Sequence, residues 1–409
     1  MPDYPRRNVY CLMGLPVDGV NMDQTVDLVR SAVLERRRLF LSTPNLNFLI
    51  GSRSNPTLRA SVIDSDLSVA DGMPLVWMSK LLRLPITERV SGSGLFERLL
   101  QPPLAAGTAR RGWVWRMLAG VQGNPDDSDL FQRFLRNSGG GRGLRVYFFG
   151  GPPGVAAQAH ARINALGATG LRSVGFACPG FGSVEAMSSD ELISAINASD
   201  ADLLIVALGA AKGQDWIKHN LSRLTVPVIS HLGAVVNFAA GTVTRAPVWM
   251  QRSGLEWLWR IKEEPQLWRR YWNDGWMLLS LLLTRLLPYA AWLRWGGGRD
   301  AGRVPDIWIL DTTDSPCLRV SGDVVGVLNE HAHQILLDAS QAQQSLTVDL
   351  SAARVLGGCF WAQLLLLRQR LALAGHSLRL EGVSQALQQQ IRWNGVEDLL
   401  ESQTSASAQ

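Results

Sequence analysis

Over residues 1–244, short apolar runs typical of buried strands alternate with stretches whose apolar residues recur at helical spacing. The runs VYCLMGLPV, LFLST and LRVYFFGG are apolar enough for buried strands, and MDQTVDLVRSAVLE carries apolar residues at helical spacing. DLLIVALG is apolar throughout, as in a central parallel strand, and VPVISHLGAVVNFAAG predicts another strand. Strands that alternate with helices predict an α/β domain over residues 1–244, built on a mostly parallel sheet with flanking helices.

Two segments depart from this alternation. Residues 101–143 hold two glycine-rich tracts, an Arg/Trp patch and the acidic NPDDSD, which predict an insertion. Residues 276–293, WMLLSLLLTRLLPYAAWL, form an apolar run of 18 residues, a length at the limit for crossing a bilayer. Because Arg285 and Pro288 lie inside it, a helix or hairpin lying in the membrane interface is favoured over a spanning helix or a helix buried in protein.

A second α/β pattern begins near residue 304, after GGGRDAG, which is typical of a linker. SPCLRVSGDV, SLTVDLSAARVL and HSLRLEGV predict strands, FWAQLLLLRQRLALAG predicts an amphipathic helix, and a last helix follows. We therefore expect a small α/β domain at 304–401, with an appendage at 245–299 between the two domains.

Basic residues are concentrated in this appendage. The chain has a formal net charge of +5, and residues 245–299 alone contain nine basic against four acidic residues, with eight of the fifteen tryptophans. Arginine mixed with tryptophan is typical of a membrane interface or of an anion site. Arg245, Arg260, Arg269 and Arg270 are candidates for bidentate phosphate contacts. The four cysteines have no metal-binding spacing and the six histidines form no pair, so no metal site is predicted.

Polar residues follow several of the predicted strands. Thr43 and Asn45 follow LFLS in LSTPNLNFL, and Asp71 follows a short strand in SVADGMPL. Ligands of open α/β sheets bind beyond the carboxyl ends of the strands. Asp71 fits either a general base or a cap of the next helix. Thr43 and Asn45 fit either ligand contacts or an ordinary turn.

Two further loops follow predicted strands. In LGAAKGQDW a plain turn needs only the glycine, so Lys212 and Gln214 indicate that a ligand is held there. FFGGPPGV fits a diphosphate cradle of backbone N–H groups, but it lacks the GxGxxG spacing and no ribose-binding acidic residue follows it. A nucleotide-dependent oxidoreductase is therefore only weakly supported.

Together these motifs resemble the WecG/TagA/CpsF family of glycosyltransferases. The resemblance runs from about Asn8 to Tyr271 without the insertion, and it rests on TPN, VADG, ERVSG, VYFFGG, LGAAKGQDW and AGTVTRAPVWM…GLEWLWR…EP…RRY. It implies a Rossmann-like fold and an inverting, metal-independent transfer from a UDP-sugar to a polyprenyl-diphosphate-linked glycan, with no cofactor. The sugar implied is N-acetylmannosamine, its uronic acid or glucose, in the synthesis of extracellular polysaccharide at a bacterial cell envelope.

The resemblance also implies roles for the residues that match its motifs. Asp71 becomes the general base that deprotonates the acceptor hydroxyl. Thr43 and Asn45 position the sugar or the acceptor, and Arg89 neutralises charge in the cleft. The basic segment holds the lipid diphosphate through arginines that match best at Arg260 and Arg270, with the other candidates being Arg245 and Arg269.

The loop with Lys212 and Gln214 departs from the family pattern. The family usually has G-x-P-K-Q-E-x-W, whereas this chain has Ala211-Lys212-Gly213-Gln214, without the proline and with the glutamine displaced by one residue. We expect Gln214 to keep the donor contact through a shifted loop, because Gly213 permits an altered backbone. The alternative is a different recognition of the donor sugar. Gly94 also replaces a residue that is commonly acidic in the family.

Residues 347–400 resemble STAS domains. Many regulatory STAS domains carry a phosphorylatable serine in an Asp-Ser-x-Gly loop, and the aligned residues here are Gly357-Gly358-Cys359-Phe360. Without a hydroxyl at position 358, a phosphorylation switch there is excluded. We expect this STAS-like domain to dock with another copy or with another polysaccharide-assembly protein, and its removal to leave transfer in vitro intact.

The expected partners follow from this interpretation. They are a UDP-sugar donor, a polyprenyl-diphosphate-linked acceptor, a membrane surface and a protein that binds the STAS-like domain, with no nucleic acid. The expected location is the cytoplasmic face of the inner membrane, in a peripheral or interfacial position. The alternative function is that of a non-catalytic adaptor in a polysaccharide-assembly complex, acting through the STAS-like domain.

Overall fold

A computed structural model describes residues 7–101, 143–166, 170–244, 246–295, 306–311, 316–328, 330–341 and 344–401. The predicted insertion, apart from its two end residues, and the predicted linker at 296–302 lie outside the described residues. The chain divides into two compact units. The first comprises Met1–Val20, Pro44–Arg89 and Gln266–Gln409, and the second comprises Asn21–Thr43 and Val90–Pro265.

The second unit is built on parallel strands. Their spatial order is Leu39–Ser42, Val228–His231, Leu203–Ala207, Leu144–Gly150 and Leu171–Ala177. Leu203–Ala207 is buried throughout and has a strand on each side, which confirms the predicted central strand. The helices of this unit are Met22–Leu34, Gly92–Leu100, Val155–Ala165, Asp190–Ala198, Ala210–Asn220, Gly233–Ala240, Val248–Ser253 and Glu256–Glu263.

The helix Ala210–Asn220 is fixed to this sheet by Trp216. The Trp216 ring is fully buried and stacks on Phe149 with 4.1 Å between the ring centroids. Its indole N–H donates to the carbonyl of Met187 at 2.9 Å, so the polar edge is satisfied as well as the apolar face. These contacts fix the helix against the sheet, and with it the end of the loop that leads into the helix.

The first unit begins with a hairpin where the sequence predicted one strand. Val9–Leu12 pairs in antiparallel register with Leu15–Asp18, and we call these residues the N-terminal hairpin. Met13 and Gly14 form the turn with φ of 52° and 89°. Two consecutive positive φ values fit a two-residue hairpin turn, which explains why a continuous apolar pattern folds back on itself. The next elements are Leu46–Gly51, Pro56–Ile63, the short strand Leu67–Ser68, and Met73–Leu81.

The predicted apolar run is helical. Trp268–Leu281 continues through a π-helical turn at Leu282–Leu286 into Leu287–Trp295, and we call these residues the Trp-rich helix. Among the described residues, one helix, Pro265–Trp295, is long and apolar enough to cross a bilayer, and 22% of its most apolar stretch is buried. The widened turn ends two residues before Pro288, whose ring nitrogen has no N–H to donate to the helix.

The C-terminal part of the first unit is a small mixed sheet with helices. Its strand order is Leu378–Glu381, Leu346–Leu356, Pro316–Val324 and Asp306–Asp311, and only the last pairing is antiparallel. The three strands predicted from the sequence are confirmed here. The accompanying helices are Glu330–Gln341, Gly358–Leu373, Gln385–Asn394 and Asp398–Glu401.

The helix Gly358–Leu373 was predicted to be amphipathic, yet every residue from Gly358 to Leu367 is buried. The N-terminal hairpin packs on it from within the same unit. A Cβ added at Gly358 would lie 3.0 Å from the Leu84 side chain and 3.4 Å from the Cys11 carbonyl. A helix that is covered on several sides can be apolar all round. Removing residues 304–409 would therefore expose the face of the hairpin that packs on this helix. Survival of transfer in vitro after that removal stays a prediction.

Candidate active site

Asp71 lies in the loop that joins the strand Leu67–Ser68 to the helix Met73–Leu81. Its backbone N–H donates to the carbonyl of Pro44 at 2.8 Å, which ties this loop to the TPN motif. The N-cap of the helix is Gly72, and no side chain caps it. Asp71 therefore precedes the N-cap position of this helix. The Asp71 side chain is half-buried.

Gly72, where these two motifs meet, is required for its backbone conformation. Its φ is 150°, in the region that favours glycine, and a Cβ placed on it would lie 3.7 Å from the Cβ of Asn45. Asn45 caps the helix Leu46–Gly51 by accepting the Phe48 N–H at 3.2 Å through Oδ1. That cap uses the oxygen of the amide, whereas the Asn45 NH₂ group is the part that can donate to a ligand.

The Trp-rich helix reaches the same region of the first unit. It packs on the helix Leu46–Gly51, and its buried Asp274 forms a side-chain hydrogen bond with Asn47. Burial raises the pKa of the Asp274 carboxyl, while the positive charge of Arg270 and the Asn47 hydrogen bond act in the opposite direction. The structure therefore brings Arg270, predicted to hold a diphosphate, close to the helix that Asn45 caps.

The remaining predicted arginines are placed differently. Arg89 is half-buried in an irregular stretch of the first unit. Arg269 is exposed, with its guanidinium 5.6 Å from the ring centroid of Trp268. In the second unit, the Arg260 guanidinium lies 5.4 Å from the ring centroid of Phe238. Arg245 lies outside the described residues.

In the second unit, the predicted donor residues lie at the start of the helix Ala210–Asn220. Gln214 is fully buried and pairs with Ser42, with its Nε2 3.1 Å from Ser42 Oγ. The next residue, Thr43, is also buried. Lys212 is exposed, and its Nζ donates to the carbonyl of Gly182 at 3.0 Å. Both residues therefore have protein partners.

His231 was not predicted for this region, although it ends the strand Val228–His231. Its Nε2 lies 2.6 Å from the carbonyl of Leu208, so this nitrogen carries the hydrogen. Burial lowers the pKa of His231, and the Leu208 hydrogen bond acts in the opposite direction. A Cβ at Gly213 would lie 2.1 Å from the imidazole, so the glycine in this loop makes room for the ring. Position at a strand end was the sequence signal that could have identified His231.

The N-terminus of the helix Ala210–Asn220 completes this region. Its N-cap is Gly209, without a side-chain cap, and its first turn contains no acidic residue. A Cβ added at Gly209 would meet no atom within 4 Å. The positive end of the helix dipole is therefore not neutralised by its own first turn.

Comparison with known proteins agrees with these motifs. The sequence model of the glycosyl transferase WecG/TagA/CpsF family matches residues 10–112 and 109–291. The chain is also similar to an N-acetylglucosaminyldiphosphoundecaprenol N-acetyl-beta-D-mannosaminyltransferase of Bacillus spizizenii. The two sequences are 25% identical over 237 residues, which are 58% of this chain and 76% of that protein. Because the family match spans well over half of the sequence, this chain belongs to the WecG/TagA/CpsF family of glycosyltransferases.

Proposed function

We propose that this glycosyltransferase moves a sugar from a UDP-sugar to a polyprenyl-diphosphate-linked glycan, with inversion and without a metal ion, in extracellular polysaccharide synthesis. The observation that carries the proposal is the Asp71 loop. It keeps the family motif, and Gly72 rather than Asp71 caps the following helix. The name of the Bacillus relative makes N-acetylmannosamine the first donor sugar to test, followed by its uronic acid and glucose.

In this proposal Asp71 is the general base. It takes the proton of the acceptor hydroxyl while that oxygen attacks the anomeric carbon, and the bond from this carbon to the UDP oxygen breaks. Attack from the side opposite the leaving group inverts the anomeric centre. Asn45, next to Gly72, donates to the sugar or the acceptor, and Arg89 offsets negative charge.

The leaving diphosphate must be stabilised as it gains charge. The uncapped N-terminus of the helix Ala210–Asn220, with no acidic residue in its first turn, supports a role in this step. Lys212, at the start of the same helix, adds a positive charge, and Thr43 follows the Ser42 that holds Gln214. Direct contact between Gln214 and the sugar stays a prediction. The observed Ser42 bond supports a role in holding the Thr43 segment.

The lipid diphosphate is assigned to the arginines of the basic segment. Arg270 is supported by its neighbour Asp274, which anchors that part of the helix at Asn47. Arg245, Arg260 and Arg269 complete the proposed set. The exposed tryptophans Trp268, Trp272 and Trp276 support an interfacial position on the membrane, which we assign to the cytoplasmic face.

The decisive experiment measures UDP release from a panel of UDP-sugars with polyprenyl-diphosphate acceptors in the presence of EDTA. We expect release with one donor, and a loss of about 100- to 10,000-fold for Asp71→Asn, since general bases contribute this much. UDP binding by calorimetry should be retained. Asp66→Asn, a nearby carboxylate outside the motif, should keep the wild-type rate.

No release across the panel from folded protein that also fails to bind UDP would overturn the proposal. It would favour the non-catalytic adaptor and direct attention to the STAS-like domain. Release that needs a divalent cation would contradict the metal-independent mechanism while leaving the transferase assignment in place.

A second experiment tests the acceptor side. We expect Arg260→Ala with Arg270→Ala to lower kcat/KM for the lipid acceptor by about tenfold to a hundredfold, because charge-assisted bonds to phosphate are lost. UDP affinity should change much less. Equal losses for the acceptor and for UDP would show that these arginines do not hold the lipid diphosphate.

A further inference from the structure

The first unit contains a cluster of arginines outside the site proposed for the transfer reaction. A cavity of about 540 Å³ lies between the Trp-rich helix and the helix Gln385–Asn394. Three guanidinium groups line it, those of Arg53, Arg285 and Arg392. Among its lining residues the one acidic side chain is Glu397. None of these arginines belongs to the set assigned to the lipid diphosphate.

The single carboxylate of the cavity is already engaged. Arg285 donates to Glu397 Oε1 at 2.7 Å and to the backbone carbonyl of Arg392 at 2.5 Å. The Glu397 carboxylate is therefore paired with Arg285, and the guanidinium groups of Arg53 and Arg392 line the same cavity. An anion with several acceptor oxygens is the ligand that such an arrangement favours.

The crowding of like charge is visible at Arg53. Its pKa lies below the ordinary arginine value, first because of burial and second because of the positive charge of Arg285, while Glu397 acts in the opposite direction. Arginine remains charged in proteins, so the second of these causes, the nearby Arg285, is a repulsion between two cations. A bound phosphate group would relieve this repulsion.

The wall formed by the Trp-rich helix adjoins an apolar surface. Met277, Leu281 and Arg285 face the cavity, while Trp276 and Leu283 on the same helix are 68% and 57% exposed. Ser280, which also lines the cavity, is four residues after Trp276 and three before Leu283, so these three side chains share one side of the helix and the apolar stripe adjoins the cavity. A ligand with a charged head and an apolar tail fits both.

We propose that this cavity binds the phosphate of an anionic phospholipid headgroup, with the acyl chains along Trp276 and Leu283. Arg53 and Arg392 donate to the phosphate oxygens, and Arg285 is held in place by Glu397. The bound lipid fixes the rotation of the Trp-rich helix about its axis at the membrane surface. This inference rests on the proposed membrane-surface location and is independent of Asp71 and of the donor sugar.

The test is binding of the full chain to vesicles of phosphatidylcholine with and without phosphatidylglycerol. Arg53→Gln with Arg392→Gln should lower the apparent affinity for the anionic vesicles on the order of tenfold. The matched control is Arg172→Gln with Arg379→Gln, which removes the same charge from two exposed arginines outside the cavity. We expect the control to change that affinity less than about twofold.

A variant expected to tighten binding serves as a control for a general folding defect. Glu397→Gln removes the carboxylate that offsets the arginines, so it should tighten binding to anionic vesicles while thermal melting reports any loss of stability. Equal losses in the two double variants, or binding that ignores the headgroup charge, would overturn the proposal. Protection from melting by inorganic phosphate, lost in the Arg53/Arg392 variant without any difference between vesicles, would instead assign the cavity to free phosphate.

Discussion

Two loops of this enzyme lead from a strand into a helix, and they treat their polar side chains in opposite ways. The Asp71 loop leaves its carboxylate half-buried and gives the N-cap position to Gly72. The Gln214 loop buries its amide completely and pairs it with Ser42. The first loop keeps the family motif, whereas the second has lost the proline and displaced the glutamine.

The difference shows what each loop can supply to a reaction. In the proposed reaction the half-buried Asp71 carboxylate is the general base, whereas the buried Gln214 amide is hydrogen-bonded to Ser42. The glycines of the two loops also serve different purposes. Gly72 is needed for its own backbone conformation, while Gly213 is needed for the space that it leaves to His231. Three substitutions test this contrast, beginning with the largest expected effect.

Gly72→Ala should damage activity most. A side chain at φ of 150° is strained, at a cost of about 1–3 kcal/mol, and relief of that strain moves the neighbouring Asp71. We expect transfer to fall about a hundredfold, as for other small displacements of catalytic groups. The measurement is kcat of UDP release together with Tm.

The matched control for that substitution is Gly209→Ala in the other loop. Gly209 has φ of −57° and open space at its Cβ, so alanine there adds no backbone strain. It should cost only the roughly 0.5–1 kcal/mol by which alanine is a poorer N-cap than glycine, with a much smaller loss of rate than Gly72→Ala. Equal damage at both positions would mean that the two loops do not differ in backbone strain.

Gln214→Leu should affect stability more than chemistry. It leaves the Ser42 hydroxyl without its amide partner in a buried place, at a cost of about 1–3 kcal/mol. Denaturant unfolding should show this loss, and Ser42→Ala in the same chain should restore part of it. KM for the UDP-sugar separates the two roles of Gln214, because little change in the folded variant means that it only holds the Thr43 segment. A large rise in KM without loss of stability would instead support direct contact between Gln214 and the sugar.

The smallest effect is the pH dependence that His231 contributes. Because burial lowers its pKa below the ordinary 6.5, the unfolded chain takes up a proton that the folded chain does not. Stability from this residue is therefore complete above about pH 6.5 and falls as the pH drops below it. His231→Gln should flatten the fall in Tm below that pH, whereas His219→Gln, at an exposed histidine, should leave the profile as in the wild type.

The sequence predicted those parts of the fold that depend on local patterns. The central strand Leu203–Ala207 and the strands of the C-terminal sheet are confirmed, because a continuous or alternating apolar run determines burial directly. The hairpin was missed because Met13, a residue that seldom adopts positive φ, forms its turn with Gly14. The Asp71 loop could be placed at a strand end, but only the structure shows which residue caps the helix.

Interactions between distant residues could not be predicted in this way. The Gln214–Ser42 pair joins residues 172 positions apart, and nothing in LGAAKGQDW identifies Ser42 as the partner. The same holds for Asp274, whose bond to Asn47 ties the Trp-rich helix to the helix that Asn45 caps. Burial of Gly358–Leu367 likewise depends on a hairpin from the opposite end of the chain.

That last contact has a consequence for biosynthesis. Cys11 Sγ donates to the carbonyl of Asn394, 383 residues later, so the hairpin leaves the ribosome long before the segment that covers it exists. At ordinary translation speed the wait is on the order of tens of seconds, during which the face of the hairpin that packs on Gly358–Leu373 is exposed. A nascent chain that stops early lacks the C-terminal part of its first unit. Only full translation therefore yields a molecule in which the core that contacts the Trp-rich helix is complete.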